Sequence, residues 1–131
     1  MHSIVKTLYI CIVNFENIQS QMRKGVLEYC ILAVIAREEI YASDILSKLK
    51  EARLIVVEGT LYPLLTRLKN AGLLNYRWVE SLQGPPRKYY SITENGKLFL
   101  AELDKTWQDL NESVKIATGN NNVQADNIPQ L

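Results

Sequence analysis

Residues 22–37 are apolar on nearly every face, with Glu28 the one charge in the interior of the run. A helix patterned this way is mostly buried. Ala42, Ile45, Leu46 and Leu49 then follow the i, i+3, i+4, i+7 spacing of a second, amphipathic helix over about 41–52. Residues 54–57 read as a short β-branched connector. The stripe Leu61, Leu64, Leu65 and Leu68 predicts a third helix, and Gly72 stands where a helix stops. Pro63 lacks an N–H and is most comfortable in a first turn. That places the helix start near Gly59 or Thr60, with Thr60 as N-cap. The outward face of this helix carries Tyr62, Thr66, Arg67 and Lys69.

After Gly72 the period changes from helical to alternating. Residues 73–79 place Tyr76 and Trp78 on one face and Asn75, Arg77 and Val79 on the other. Seven turn-like residues, 80–86, precede Arg87-Lys88-Tyr89-Tyr90-Ser91-Ile92, so the two runs predict a β-hairpin with a wide tip. Thr93 caps a last helix over 94–118, about 37 Å long at the usual helical rise. Within it Leu100, Leu103, Trp107, Leu110 and Val114 are spaced 3, 4, 3, 4, the seam of a helix that packs along another helix. So long a helix outruns a three-helix core, and its seam calls for cover from a second subunit. Residues 119–131 read as a flexible tail.

Residues 1–21 form an N-terminal extension of uncertain role. Residues 4–15 are apolar apart from Lys6, Thr7 and Asn14, too short a run for a membrane span of roughly 20 residues. No small-residue cleavage pattern of a signal peptide precedes Glu16. The segment is expected to be an extra strand or helix packed on the domain, or residues upstream of the natural start. No membrane partner is expected.

Charge changes the picture only when it is divided. The whole chain has 15 basic and 14 acidic side chains, a formal net charge of +1. Residues 41–90 carry eight basic against four acidic side chains, net +4, whereas residues 91–131 carry three against six, net −3. The positive half coincides with the second and third helices and the hairpin.

Enzymatic chemistry has little to stand on. His2, the one histidine, lies at the extreme N-terminus, so a catalytic triad, a His-bearing zinc site and a haem site each lose their central residue. Cys11 and Cys30 form no C-x-x-C pair, which suits a reducing cytoplasm, and Cys30 reads as a small buried hydrophobe. No P-loop or dinucleotide-binding glycine pattern occurs. No cofactor and no metal are expected.

Three helices followed by a hairpin describe a mainly α winged helix-turn-helix domain over 22–93, with a long C-terminal dimerisation helix over 94–118. Such a third helix fits a DNA major groove, and Arg87 and Lys88, leaving the hairpin tip together, are placed for phosphate or an adjacent minor groove. The same helix face also suits a winged-helix module that docks protein without specific DNA binding.

Two motifs carry a resemblance. Gly59-Thr60-Leu61-Tyr62-Pro63-Leu64-Leu65-x-Arg67-Leu68-x-x-x-Gly72-Leu73-Leu74 resembles the recognition-helix signature of the PadR-type transcriptional regulators. Gly84-Pro85-Pro86-Arg87-Lys88-Tyr89-Tyr90-x-Ile92-Thr93-x-x-Gly96 resembles their wing and the start of their last helix. The resemblance covers about 22–118; Ala42 stands where many members have Gly. The single C-terminal helix is similar to that of the small subgroup, and implies a homodimer whose recognition helices enter successive major grooves of a near-palindromic site. It implies that Thr60, Tyr62, Thr66 and Arg67 lie on the groove-facing helix, Lys48 on the helix before it, and Arg87 and Lys88 on the wing; Lys69, on the same outward helix face, is expected to join them. Tyr62 and Lys48 are expected to hold phosphates, and Arg67 to reach a guanine edge.

In some small-subgroup relatives a tryptophan at the place of Trp107 pairs with its mate across the dimer and bounds a pocket for flat aromatic molecules. Asp104, one turn earlier, would attract a cation there; otherwise Trp107 simply fills the dimer core. The expectation is a cytoplasmic, homodimeric repressor that binds an inverted repeat near its own promoter and is released by such a ligand.

Overall fold

Asn14 adopts a left-handed backbone conformation and its side chain accepts the N–H of Asn17 at 3.3 Å, capping the first helix, α1 (Phe15–Arg37). The fold is that of a computed structural model, which describes residues 14–120 and Ile4; the expectations for the other N-terminal residues and for the tail from residue 121 fall outside the described residues. The expected boundary at residue 22 therefore lies inside a helix of 23 residues. Only its C-terminal half is buried, through Leu27, Ile31, Leu32 and Ile35. The preceding Phe15, Ile18 and Met22, spaced 3 and 4, form an exposed apolar stripe.

A two-residue strand, β1 (Ile40–Tyr41), follows and pairs antiparallel with Tyr90 and Tyr89. The sequence did not announce it, because two residues carry no period. Helix α2 (Ala42–Glu51) buries Ala42, Ile45 and Leu49 as its spacing requires. It ends in a Schellman turn: the Arg53 N–H reaches the Lys50 carbonyl at 2.9 Å and the Leu54 N–H the Leu49 carbonyl at 2.8 Å, with Arg53 at φ 64°. Helix α3 (Glu58–Asn70) ends the same way around Gly72, at φ 79°.

The start of α3 departs from expectation. Val57, not Thr60, is the N-cap; it makes no side-chain cap bond, and the Thr60 N–H bonds to the Val57 carbonyl at 3.0 Å. Pro63 thus lies inside the helix on its exposed side. An interior proline costs about 3 kcal/mol, but burying a leucine stabilises by roughly 1.5–3 kcal/mol. The fully buried Leu61 and Leu65 with nearly buried Leu68 outweigh it.

The wing also differs. Strands β2 (Leu74–Ser81) and β3 (Gly84–Ile92) run much closer to the tip than the turn-like residues suggested, since Ser81 pairs with Gly84 and only Leu82 and Gln83 turn. The hairpin is tight, not wide. Val79 pairs with Arg87, so Pro85 and Pro86 face Glu80 alone in a bulge. They are tolerated because β1 covers β3 only at Tyr89 and Tyr90, leaving the proline half of β3 an open edge. The sheet order is β1-β3-β2.

Thr93 caps α4 (Glu94–Thr118) as expected: its hydroxyl accepts the Gly96 N–H at 2.9 Å and donates to the Gly72 carbonyl at 2.7 Å. Gly96 packs where any Cβ would overlap the Leu73 carbonyl and the Ile92 side chain, so the junction of wing and last helix requires glycine there. One core gathers Ile31, Leu32, Ile35, Ile45, Leu49, Leu61, Leu65 and Leu74, closed on the sheet side by Ile40 and Tyr90. Among the described residues no helix is long and apolar enough to cross a membrane.

Candidate nucleic-acid interface

With Leu61, Leu65 and Leu68 turned inward, the remaining face of α3 is open, and Thr60, Tyr62, Thr66, Arg67 and Lys69 are all exposed. Residues seven apart share a stripe on a helix. Tyr62 and Lys69 therefore form one flank, Thr60 and Arg67 the other, with Thr66 between them. The side-chain partners agree with this division. Lys69 reaches the wing, its Nζ lying 5.6 Å from the Tyr76 ring centre, whereas Arg67 reaches α1 and pairs with Glu28.

Alternation along β3 places Lys88 and Arg87 on opposite faces of the wing, so they do not leave the tip together as expected. The Lys88 ammonium sits 4.5 Å from the Tyr76 ring centre and 5.5 Å from that of Trp78, on the face shared with α3. Two ammonium groups, one from the helix and one from the wing, thus flank a single tyrosine ring. Such cation–ring contacts hold a lysine stem in place while leaving its N–H donors free. Among the described residues neither ammonium is ion-paired. Tyr90 lies beneath this face, its hydroxyl pKa pushed up by burial and then by the nearby Tyr62 and Tyr76.

The opposite face is knitted internally. Arg77 donates to Glu39 at 3.0 and 3.2 Å and stacks 4.9 Å from the centre of Tyr89. Arg87 lies 5.5 Å from the Tyr41 ring, which packs 4.6 Å from Tyr89. Lys48 lines a shallow groove on this side with Glu38, Asp44 and Glu51. The expected site residues therefore divide: Lys69 and Lys88 come together over Tyr76 with Tyr62 on the same flank, Thr66 lies between the flanks of α3, Thr60 and Arg67 lie on the α1 flank, and Arg87 and Lys48 lie apart.

Tyr76 and Trp78 were not foreseen as part of this surface. Trp78 is 61% exposed, far more than a core role allows. The available signal was the cross-strand pairing of an aromatic at 78 with a lysine at 88, visible only once the tight tip fixes the register.

The seam of α4 is split. Leu100 and Leu103 are partly buried against the chain's own core, whereas Trp107, Leu110 and Val114 are 42%, 52% and 50% exposed. The Asp104 carboxylate accepts a hydrogen bond from the Tyr29 hydroxyl of α1 and is already engaged. That bond, followed by burial and the Asp104 charge, pushes the Tyr29 pKa up to about 12. Burial likewise pushes up the Cys30 thiol, which suits a packing role over a nucleophilic one. Among the described residues no group of three or more His, Cys, Asp or Glu is placed to hold a metal ion.

Residues 31–102 match the family model described as "Transcriptional regulator PadR-like family". The chain is similar to a PadR-like transcription factor from Bacteroides fragilis, with 66% identity and a TM-score of 0.67 over 77% of this chain and 98% of that one. A padr family transcriptional regulator from Eggerthella lenta is 30% identical, with a TM-score of 0.77 over 88% of this chain and 99% of that one. Bacillus subtilis PadR, solved in complex with operator DNA, is 28% identical, with a TM-score of 0.56 over 60% of this chain and 46% of that one. The matched segment runs from the buried half of α1 through the wing into α4, and both sequence motifs fall within it. This winged-helix chain therefore belongs to the PadR-like family, whose members are transcription regulators rather than enzymes.

Proposed function

We propose that this protein is a cytoplasmic, homodimeric repressor that binds an inverted-repeat operator through α3 and the wing. The observation that carries the reading is the pair of ammonium groups, Lys69 and Lys88, held over Tyr76 between helix and wing. They lie beside the exposed Tyr62 and Thr66, so a phosphate strand at this edge meets N–H donors from two elements at once. Trp78 and Tyr76 shape the same edge. Arg67 supplies guanine contact from the other flank, Thr60 lies beside it, and Lys48 and Arg87 act as peripheral phosphate contacts. Support for DNA as the ligand comes also from the Bacillus subtilis relative solved with its operator.

Dimerisation is supported by two exposed apolar stripes, Trp107-Leu110-Val114 on α4 and Phe15-Ile18-Met22 on α1. A second copy covering both removes Trp107, Phe15 and four further exposed apolar side chains from water. A flat aromatic molecule then inserts beside Trp107 between the copies and shifts the dimer state that holds the recognition helices one DNA turn apart.

The test is a gel-shift on the protein's own upstream DNA. Substituting Lys69 and Lys88 together with alanine is expected to weaken the shift more than Arg87→Ala or Lys48→Ala does. Equal binding by all variants would remove the proposed surface. A winged-helix module that docks protein instead of DNA would show no steep salt dependence with any duplex. For the ligand, flat cationic dyes are expected to quench tryptophan fluorescence in wild type and not in Trp107→Ala, where Trp78 alone emits; an unaltered spectrum across a varied dye panel counts against the pocket.

A further inference from the structure

Arg67 is the one proposed DNA contact on α3 whose charge is already answered inside the molecule, by Glu28 of α1. The two partners are unequally held. The Glu28 side chain is 29% exposed and sits on the packed half of α1, next to buried Leu27 and one turn before Ile31 and Leu32, whereas the Arg67 side chain is 68% exposed on a long flexible stem. The carboxylate is the more enclosed partner and the guanidinium the more exposed one.

We infer that Glu28 is a specificity-determining residue: it withholds Arg67 from phosphates and releases it only to a guanine edge. The inference rests on the DNA-binding reading above. An exposed ion pair is weak, but a single phosphate in water offers a guanidinium little more than Glu28 does. Inside the groove a guanine edge offers two parallel acceptors at fixed spacing and away from bulk water, an advantage an exposed ion pair lacks. On random DNA, Arg67 therefore stays on Glu28 and adds nothing to counterion release. On an operator with guanine in reach it crosses over, and the half-enclosed carboxylate left behind disfavours any sequence that does not hold the guanidinium well. Glu28 touches no DNA and acts through Arg67, so it is a positioning residue.

The test measures binding of a random-sequence duplex and of the operator duplex across a salt series, for wild type, Glu28→Gln, Arg67→Ala and the double variant. On random DNA, wild type and Arg67→Ala are expected to coincide. Glu28→Gln should bind it more tightly, on the order of fivefold at low salt, with the salt slope steeper by about 1 for each additional phosphate neutralised. The gain should vanish in the double variant. On operator DNA, Arg67→Ala should bind at least tenfold more weakly than wild type, on the scale of removing one bidentate guanine pairing. A merely structural tie between α1 and α3 predicts something different: both single variants melt lower, and the random-DNA salt slopes stay equal. That result, or a gain that survives in the Arg67→Ala background, overturns the inference while leaving DNA binding by wild type intact. Absence of binding by wild type to either duplex overturns the DNA-binding reading itself, and this inference with it.

Discussion

Arg53 and Gly72 close their helices with the same pair of backbone hydrogen bonds and the same left-handed conformation. A side-chain-bearing residue there costs about 1–2 kcal/mol, and glycine returns roughly 0.5–1 kcal/mol of that as lost chain entropy. Arg53→Gly is thus expected to stabilise the fold by up to about 1 kcal/mol, read as a higher urea midpoint; an unchanged or lower midpoint contradicts the assigned conformation. Gly96→Ala should act in the opposite direction, costing about 1–3 kcal/mol, because the added methyl meets the Leu73 backbone carbonyl, which cannot swing away, as well as the Ile92 side chain. The stop at Gly72 and the cap at Thr93 were legible in the sequence, since both residue types advertise their roles. The turn at Arg53 was not, because arginine carries no mark of a left-handed backbone. Thr60 misled for the opposite reason: it is a competent cap that lies two residues inside a helix whose start is fixed by the burial of Leu61.

Among the elements, α1 does more than supply core. Its consecutive residues Glu28 and Tyr29 reach α3 and α4 respectively, so one helix braces both. Tyr29 has an alkaline signature. Its hydroxyl pKa is raised from 10.0 to about 12, first by the hydrogen bond to Asp104 and then by burial and the Asp104 charge. The folded protein keeps that proton after the unfolded chain has released it. The stabilisation is therefore complete below pH 10.0 and lost as pH rises towards about 12. Denaturation midpoints across this range should fall less steeply in Tyr29→Phe than in wild type; parallel curves would show that the bond contributes nothing. The wing shows where local patterning runs out. Alternation located both strands, but Gly-Pro-Pro reads as a turn wherever it stands, and only the open edge beyond the two-residue β1 lets two prolines sit within β3. The face partition of Lys88 and Arg87 follows from that register and was hidden until the tip length was known.

At the scale of the whole molecule, the chain separates a basic edge of helix and wing from an acidic, apolar-striped helix. The heptad spacing of α4 was legible from sequence, yet its division was not. Leu100 and Leu103 close the chain's own core while Trp107, Leu110 and Val114 face outward, and that depends on where α1 crosses the helix. Leu110→Asp is expected to yield monomers in sedimentation velocity without lowering the melting temperature of the monomer core, and to weaken operator binding by well over tenfold because two half-sites are no longer engaged together. A variant that still sediments as a dimer would place the interface elsewhere. The central claim, that Lys69 and Lys88 form the phosphate-holding edge between helix and wing, is tested most directly by the salt dependence of binding to the protein's own upstream DNA. Wild-type affinity should fall steeply with salt, and replacing both lysines with alanine should weaken binding and flatten the slope by about 1 for each phosphate no longer neutralised. A wild-type affinity indifferent to salt, or a double variant that follows the wild-type line, would contradict it.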